Sequence, residues 1–209
     1  MAMDETLLAA DIWAINGVVL DGEGKPTPPT DPIKAYAKGF IAMLKAGLVM
    51  LPLAQGGTGP GAPLSNGLGQ GGKIINLLGP VMSGIAGVDP VVAAQVAVEA
   101  TAIATYMMAS AIVSFLPGSV EGQSTETSGS GGSLVQGKGS MGKISGLSGP
   151  SMAQVAGGAV GQTGPFIVDQ YTVMCNHVMG LAEVSFKPNT ITGGAYGSFV
   201  GAGVGGTIK

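Results

Sequence analysis

The stretch GLGQGGKIINLLGP, residues 67–80, recurs further along the chain as GKGSMGKISGLSGP, residues 137–150. The similarity continues past both stretches with the pattern G-K-I-x-x-L-x-G-P-x-M-x-x-x-A-G, which begins at Gly72 in the first copy and at Gly142 in the second. A pattern that recurs after tens of residues indicates that one structural unit occurs more than once. The sequence therefore predicts an internal duplication.

Each copy also contains most of a phosphate-binding loop, whose pattern is G-x-x-x-x-G-K followed by serine or threonine. The residues that fit are Gly67, Gly72 and Lys73 in the first copy and Gly137, Gly142 and Lys143 in the second. Ile74 and Ile144 stand where the magnesium-binding hydroxyl belongs. Small and polar residues precede each copy instead of the buried strand that such a loop follows. We therefore expect no nucleotide site.

The composition of the chain is unusual for a protein of 209 residues. Glycine takes 38 positions, charged residues make up only 10% and aromatic residues only 5%. Glycine loses more conformational freedom on folding than other residues, so a glycine-rich chain is costly to order through its own contacts. We therefore expect neighbouring protein subunits to help hold the chain in place.

The charge pattern argues against a nucleic-acid partner. The net charge is −3, and all nine basic residues are lysines. Arginine provides the planar, forked group that binds phosphates and guanine edges, and the sequence has none. No basic stripe compensates for this absence, so we predict that the protein does not bind nucleic acid.

Three apolar segments, residues 31–51, 90–116 and 165–180, predict the main helices. Each has a proline at its start and another beyond its end, and proline is tolerated in the first helical turn but disfavours continuation. The first segment is amphipathic, because its apolar residues recur at helical spacing while Lys34 and Lys38 lie on the other face. We therefore expect these three helices to pack together.

Within the second segment, residues 91–116 carry Glu99 as their only charged residue. The stretch is close to the lower length limit for crossing a bilayer, which usually takes about 20 apolar residues. No basic residues flank it, so the sequence favours a buried central helix over a membrane segment. In a membrane Glu99 would need a partner or a water-filled lumen, whereas in a soluble helix it could reach solvent.

The glycine-rich stretches 54–72 and 118–142 have the composition of flexible linkers and contain no aromatic residue. The stretch 189–209 intersperses glycine with tyrosine, phenylalanine and valine, which predicts an extended tail that docks on a neighbouring subunit. We therefore predict a mainly α fold of duplicated helix-plus-glycine-loop modules with an extended glycine-rich C-terminal tail.

The repeat and the helices divide the chain into four predicted regions. They are an N-terminal helix and turn (1–30), a first helix and loop module (31–87), a second module (88–157), and a partial third module with the tail (158–209). In the first region Asp4 and Glu5 favour a helix start, because carboxylates are stabilised near helix N-termini. The N-terminus has no basic start or cleavage site and does not resemble a secretory signal.

The single cysteine, Cys175, and the single histidine, His177, are two residues apart. On a helix this spacing turns the two side chains away from each other, so they do not form a nucleophile and base pair. Asp169 and Asn176 are the only further metal ligands nearby, too few for a convincing site. We predict that Cys175 packs in the interior, that His177 is solvated or at a contact, and that the chain has no catalytic, cofactor-binding or metal site.

The composition and organisation resemble those of minor structural proteins of tailed phages and contractile injection systems. The resemblance rests on glycine- and serine-rich connectors such as SGSGGS, residues 128–133, and on the extended tail, and it includes no diagnostic family motif. It implies a structural tail or baseplate component of a virion, assembled in the host cytoplasm, that laces neighbouring subunits together through its glycine- and serine-rich loops and tail. Its partners would be other protein subunits, including copies of itself, and it would have no enzymatic activity and no cofactor. The alternative is a membrane-active protein, a pore former or lysis protein, that uses the apolar helix 91–116.

Overall fold

The computed structural model describes residues 3–15, 17, 20–86, 90–127 and 130–209. It is 42% helical and 37% strand, so the prediction of a mainly α fold is wrong. The seven strands are β1 (Leu48–Gly57), β2 (Ser65–Ile75), β3 (Ile112–Ser124), β4 (Gly132–Ser145), β5 (Val184–Phe186), β6 (Ile191–Tyr196) and β7 (Ser198–Ile208). They form a closed antiparallel β-barrel.

The barrel has six strand positions because β5 and β6 share one of them. Both of these short strands pair with β4 on one side and with β7 on the other. The other neighbours follow in the order β1, β2, β3 and β4. Pairing of β7 with β1 then closes the barrel, so that no strand is left at an open edge.

The predicted linkers 54–72 and 118–142 and the predicted tail 189–209 supply much of this barrel. The tail residues form β6 and β7, which close the barrel within the same chain. The prediction of flexible loops failed because it treated glycine as a sign of mobility, whereas here glycine alternates with larger residues along strands. Part of SGSGGS and the predicted boundary at residues 87 and 88 lie outside the described residues.

Large side chains from the first strand of each hairpin fill the barrel interior. Leu51 on β1, Phe115 on β3 and Phe186 on β5 are all at most 3% exposed. A Cβ atom at Gly142 would lie 2.5 Å from the Phe115 ring, and one at Gly206 would lie 2.7 Å from the Phe186 ring. Glycine is therefore needed beside each large side chain, because any other residue would overlap it.

The three hairpins repeat one another closely. Within them a buried valine faces a buried isoleucine, in the pairs Val49–Ile74, Val113–Ile144 and Val184–Ile208. Between them the same valines face glycines, in the pairs Val49–Gly206, Val113–Gly72 and Val184–Gly142. The two copies seen in the sequence thus have a third, Gly203–Ile208, and the barrel has pseudo-threefold symmetry.

One backbone feature also occurs in all three copies. Gly71, Met141 and Gly205 occupy equivalent places and all have positive φ, at 68°, 56° and 84°. Each residue precedes an inward-facing glycine and coincides with an irregularity in strand pairing, which is typical of a β-bulge. The left-handed backbone at the bulge favours glycine. Met141 is the one of these three equivalent residues that has a side chain in this conformation.

The helices are α1 (Glu5–Ile15), α2 (Asp31–Ala46), α3 (Gly79–Ala86), α4 (Pro90–Ser110), α5 (Gly149–Met152) and α6 (Pro165–Leu181), and a π-helical stretch (Ala153–Gly157) continues α5. The predicted starts at 31, 90 and 165 are confirmed. Two predicted ends are too late, because residues 48–51 and 112–116 begin β1 and β3. The β-branched and bulky apolar residues in these two segments favour strands, so β1 and β3 start well before Pro52 and Pro117.

The helices form a ring against one end of the barrel. Each helix contacts the next one around the ring: α1 contacts α2, α2 contacts α3, and α3 contacts α4. The π-helical stretch connects α4 with α5, α5 contacts α6, and α6 contacts α1. Glycine lets neighbouring helices approach closely: a Cβ at Gly79 would lie 2.8 Å from the Thr101 backbone on α4, and one at Gly149 would lie 2.4 Å from the Thr172 backbone on α6. The ring therefore repeats the symmetry of the barrel.

The contact of Gly142 with Phe115 can be tested by overpacking. We expect Gly142→Ala to lower the free energy of unfolding by about 1–3 kcal/mol, because its new methyl group overlaps the ring. Phe115→Leu in the same chain should recover part of this loss, since Leu51 occupies the equivalent position in the first hairpin. Urea unfolding followed by circular dichroism measures both effects.

The matched control is Gly194→Ala, because a Cβ atom at Gly194 on β6 has no heavy atom within 4 Å. This change should alter the free energy of unfolding by no more than about 0.5 kcal/mol. Equal effects of the two glycine substitutions would contradict the proposed packing.

Candidate functional site: two buried glutamates, a cavity and an apolar barrel wall

Glu99 on α4 lies where the three long helices meet. Its carboxylate Oε1 accepts hydrogen bonds from the Tyr36 hydroxyl on α2 at 2.5 Å and from the Tyr171 hydroxyl on α6 at 2.7 Å. Glu99 is 7% exposed, so most of its side chain is buried within the helical layer. The carboxylate therefore links α2, α4 and α6 through charge-assisted hydrogen bonds.

The environment of the two tyrosines keeps them protonated. Burial, together with the nearby Glu99 carboxylate, raises the pKa of both Tyr36 and Tyr171 well above the usual value. A protonated phenol is the form that can donate a hydrogen bond to a carboxylate. The junction is thus stable as two neutral donors around one acceptor.

A cavity of about 340 Å³ adjoins this junction. Its lining residues are Ile12, Pro32, Ile33, Tyr36, Glu99, Gln162, Phe166 and Gln170. Phe166 is 40% exposed, which places it at the edge of the protein surface. The cavity combines apolar walls, two aromatic rings, two side-chain amides and one carboxylate, and its volume falls in the range of small-molecule sites.

A second buried glutamate joins the turns at the other end of the barrel. Glu126, which is 8% exposed, accepts hydrogen bonds at Oε2 from the Thr58 hydroxyl and from the Gly197 backbone amide, both at 3.1 Å. Thr58 follows β1, Glu126 follows β3 and Gly197 lies between β6 and β7. One side chain therefore connects all three hairpins.

The residues that resemble a phosphate-binding loop lie within strands. Gly67, Gly72 and Lys73 belong to β2, and the second set belongs to β4. The Lys73 ammonium donates to the backbone carbonyl of Ala109 at 3.1 Å, and the Lys143 ammonium lies 3.5 Å from the Glu183 carboxylate. Extended strands cannot wrap their amides around a phosphate as a glycine-rich loop does, so this geometry gives no support to a nucleotide site.

Cys175 and His177 both lie in the interior on α6. Burial raises the pKa of the Cys175 thiol to about 12, so the reactive thiolate is disfavoured at neutral pH. His177 is 5% exposed, which differs from the prediction that it is solvated or at a contact. Its Nε2 atom is buried without a hydrogen-bond partner among the described residues, and burial lowers its pKa. No group of three potential metal ligands occurs in the described part of the chain.

One wall of the barrel differs from its two symmetry equivalents. On the seam between β1 and β7, Met50, Val200 and Val204 are exposed by 38%, 55% and 59%, and Met50 pairs directly with Val204. We refer to these three residues as the apolar wall. Counted from the three valine–glycine pairs, the corresponding positions are Ser114, Asn66 and Gln70 on the β2–β3 seam and Ser185, Gln136 and Ser140 on the β4–β5 seam. Asn66 and Gln136 have positive φ, whereas Val200 does not. All three of these positions are therefore apolar on the β1–β7 seam and polar on the other two seams.

Part of α4 is also apolar without being buried. The segment Val92–Ser110 has a mean hydropathy of 1.3, is 33% buried, and is the one helix in the described ranges that is long and apolar enough to cross a membrane. Its second half enters the core through residues such as Ile103 and Met107. Its first half includes Val92 and Val98, which are 41% and 50% exposed.

Comparisons with known proteins identify no relative: no protein-family model, no curated protein and no solved structure matches this chain. Functional interpretation therefore depends on the chain's own geometry.

The junction at Glu99 predicts a specific stability cost. We expect Tyr171→Phe to lower the free energy of unfolding by about 1.5–3 kcal/mol, because it removes a hydrogen bond to a buried charge. Tyr196→Phe is the control, since Tyr196 is 62% exposed, and it should cost less than about 0.5 kcal/mol.

The Tyr171→Phe variant should also change how the stability of the protein depends on pH in the alkaline range. The raised pKa of Tyr171 stabilises the fold below pH 10, and this stabilisation is lost as the pH rises above that, because the unfolded chain ionises first. Tyr171→Phe should therefore lose less stability than the wild type above pH 10 in urea titrations. A loss as steep as that of the wild type would contradict this assignment.

His177 predicts an acid dependence. Because burial lowers its pKa below the ordinary 6.5, and the nearby Asp11 and Asp4 carboxylates only partly oppose this, the unfolded chain binds the proton more readily. The free energy of unfolding should fall as the pH drops through 6.5, and it should fall less steeply in His177→Leu. Urea unfolding at several pH values measures the difference, and parallel curves for the two proteins would contradict the prediction.

Proposed function

We propose that the protein is a structural component of a multisubunit assembly and has no enzymatic role. The observation that carries this proposal is the apolar wall of Met50, Val200 and Val204, which stands where the other two equivalent seams carry serine, asparagine or glutamine. The barrel fold does not itself require apolar residues at these positions, because the corresponding residues on the other two seams are polar. Exposed apolar side chains grouped on one face are typical of a protein interaction site.

The neighbour that binds this wall is a second copy of the same chain. Most soluble oligomers are built from identical subunits, and an apolar patch can pair with its own copy across a twofold axis. Exposed Val92 and Val98 on α4 offer a further surface for other subunits. The contacts in this proposal are made by folded surfaces, since the glycine-rich segments are committed to the barrel.

A virion tail or baseplate is the assembly we propose. Its support is the glycine-rich, weakly charged composition and the organisation into repeated modules, which resemble those of such structural proteins. The protein would then reside in the virion after assembly in the host cytoplasm.

A membrane-active role is the second candidate, and the apolar segment Val92–Ser110 favours it. Its cost is structural: Glu99 would have to leave two tyrosine hydrogen bonds, and Ile103 and Met107 would have to leave the core. Co-sedimentation of the purified protein with phospholipid vesicles, in the absence of self-association, would favour this role over the structural one.

The assembly proposal is tested by exchanging the apolar wall for one of the polar walls. The variant Met50→Ser, Val200→Gln and Val204→Ser copies Ser185, Gln136 and Ser140. In sedimentation velocity the wild type should form larger species as its concentration rises, and the variant should remain a single small species with unchanged circular dichroism.

The control variant carries Leu20→Ser and Leu78→Ser, which remove side chains that are 55% and 59% exposed outside the barrel wall. It should associate like the wild type. The proposal would be contradicted by a wild type that stays monomeric at every concentration. It would also be contradicted if the variant with the three substitutions in the apolar wall associated as well as the wild type.

A further inference from the structure

The cavity beside Glu99 has a charge that no described residue balances. None of its lining residues is basic, and Glu99 forms no ion pair within the described ranges. A buried carboxylate without a cation carries a desolvation cost that its two hydrogen bonds offset only in part. The cavity is therefore electrostatically suited to receive a positive charge.

One carboxylate oxygen remains available to a ligand. Both tyrosine hydroxyls donate to Oε1 of Glu99. Oε2 has no hydrogen-bond partner in the described part of the chain, and it is not among the fully enclosed atoms that lack one. A donor that enters the cavity can thus reach Oε2 without disturbing the junction.

The other walls restrict the ligand further. Ile12, Ile33 and Pro32 provide apolar surface for a short alkyl chain. Tyr36 and Phe166 provide aromatic rings, which attract cations through the negative charge on their faces. An anion would be repelled by Glu99, and a neutral apolar molecule would leave the carboxylate unpaired.

We infer that this cavity binds a small organic cation of the alkylammonium class, with its ammonium group paired to Glu99 and its alkyl part against the apolar walls. This binding site is independent of the apolar wall and goes beyond a role in assembly. The volume of about 340 Å³ lies at the lower end of the range of small-molecule sites. A lysine of a neighbouring subunit carries the same alkylammonium group, and a cross-linking experiment separates that source from a free cation.

The probe for this site is n-butylammonium, and the reporters are ¹³C-labelled isoleucine methyl groups in the full chain. Ile12 and Ile33 line the cavity, whereas Ile144 and Ile208 lie in the barrel and serve as internal controls. Titration should shift the first pair in a saturable manner and leave the second pair unchanged. Equal concentrations of 1-butanol or butyrate should produce no comparable shift.

The decisive variant is Glu99→Gln, which keeps an oxygen for the tyrosines and removes the charge. It should weaken n-butylammonium binding at least about tenfold, a change of about 1.4 kcal/mol. Glu23→Gln, at an exposed turn, is the matched control and should bind like the wild type. Phe166→Ala leaves the junction intact and should also weaken binding, which keeps the test informative if Glu99→Gln unfolds.

Three results would overturn the inference. They are no saturable shift at Ile12 and Ile33 in the wild type, equal affinity in Glu99→Gln and wild type, or equal response to 1-butanol. A carbodiimide cross-link between Glu99 and a lysine of another copy, formed without added amine, would also overturn it, because the ammonium group would then come from a neighbouring subunit.

Discussion

The structure depends on the contact between large inward-facing side chains and the glycines beside them. Leu51, Phe115 and Phe186 fill a barrel of only six strand positions, and each needs neighbouring strands that have no side chain at the point of contact. This constraint explains why so glycine-rich a chain folds into regular structure. The entropy lost in ordering glycine is offset by burial of aromatic rings and branched side chains. Any larger residue at the glycine positions would leave no room for them.

Pseudo-threefold symmetry creates a second constraint along its axis. A single side chain placed on the axis can come from only one of three repeats, so the other two must supply its partners. The first repeat comprises α2, β1 and β2, the second α4, β3 and β4, and the third α6 with β5, β6 and β7. Glu99 and Glu126 both belong to the second repeat, and each accepts hydrogen bonds from the first and the third. At each end of the barrel one carboxylate thus connects all three repeats. The repeats are not equivalent at these two points, because only the second repeat supplies the glutamate.

The sequence predicted the starts of three helices and one duplication, since proline positions and the G-K-I pattern are local signals. The third repeat escaped detection because Thr207 replaces the lysine and the α3-like helix that should follow is supplied by α1 at the other end of the chain. The barrel was missed because inward positions such as Gly139 and Gly142 carry no apolar side chain, so the period-two pattern looked like a polar linker. The Glu99 junction could not be predicted, because its tyrosines are 63 and 72 residues away along the chain.

Closure of the barrel by β7 has a consequence for how the molecule is synthesised. Strands β1 and β7 are far apart in sequence, so the pairing that closes the barrel is the least local strand pairing in the fold and is expected to form slowly. Among the described strands β7 emerges last from the ribosome, and until then β1 and the short strands β5 and β6 present unpaired backbone. The nascent chain is therefore most exposed to aggregation just before β7 emerges, when chaperone protection would matter most.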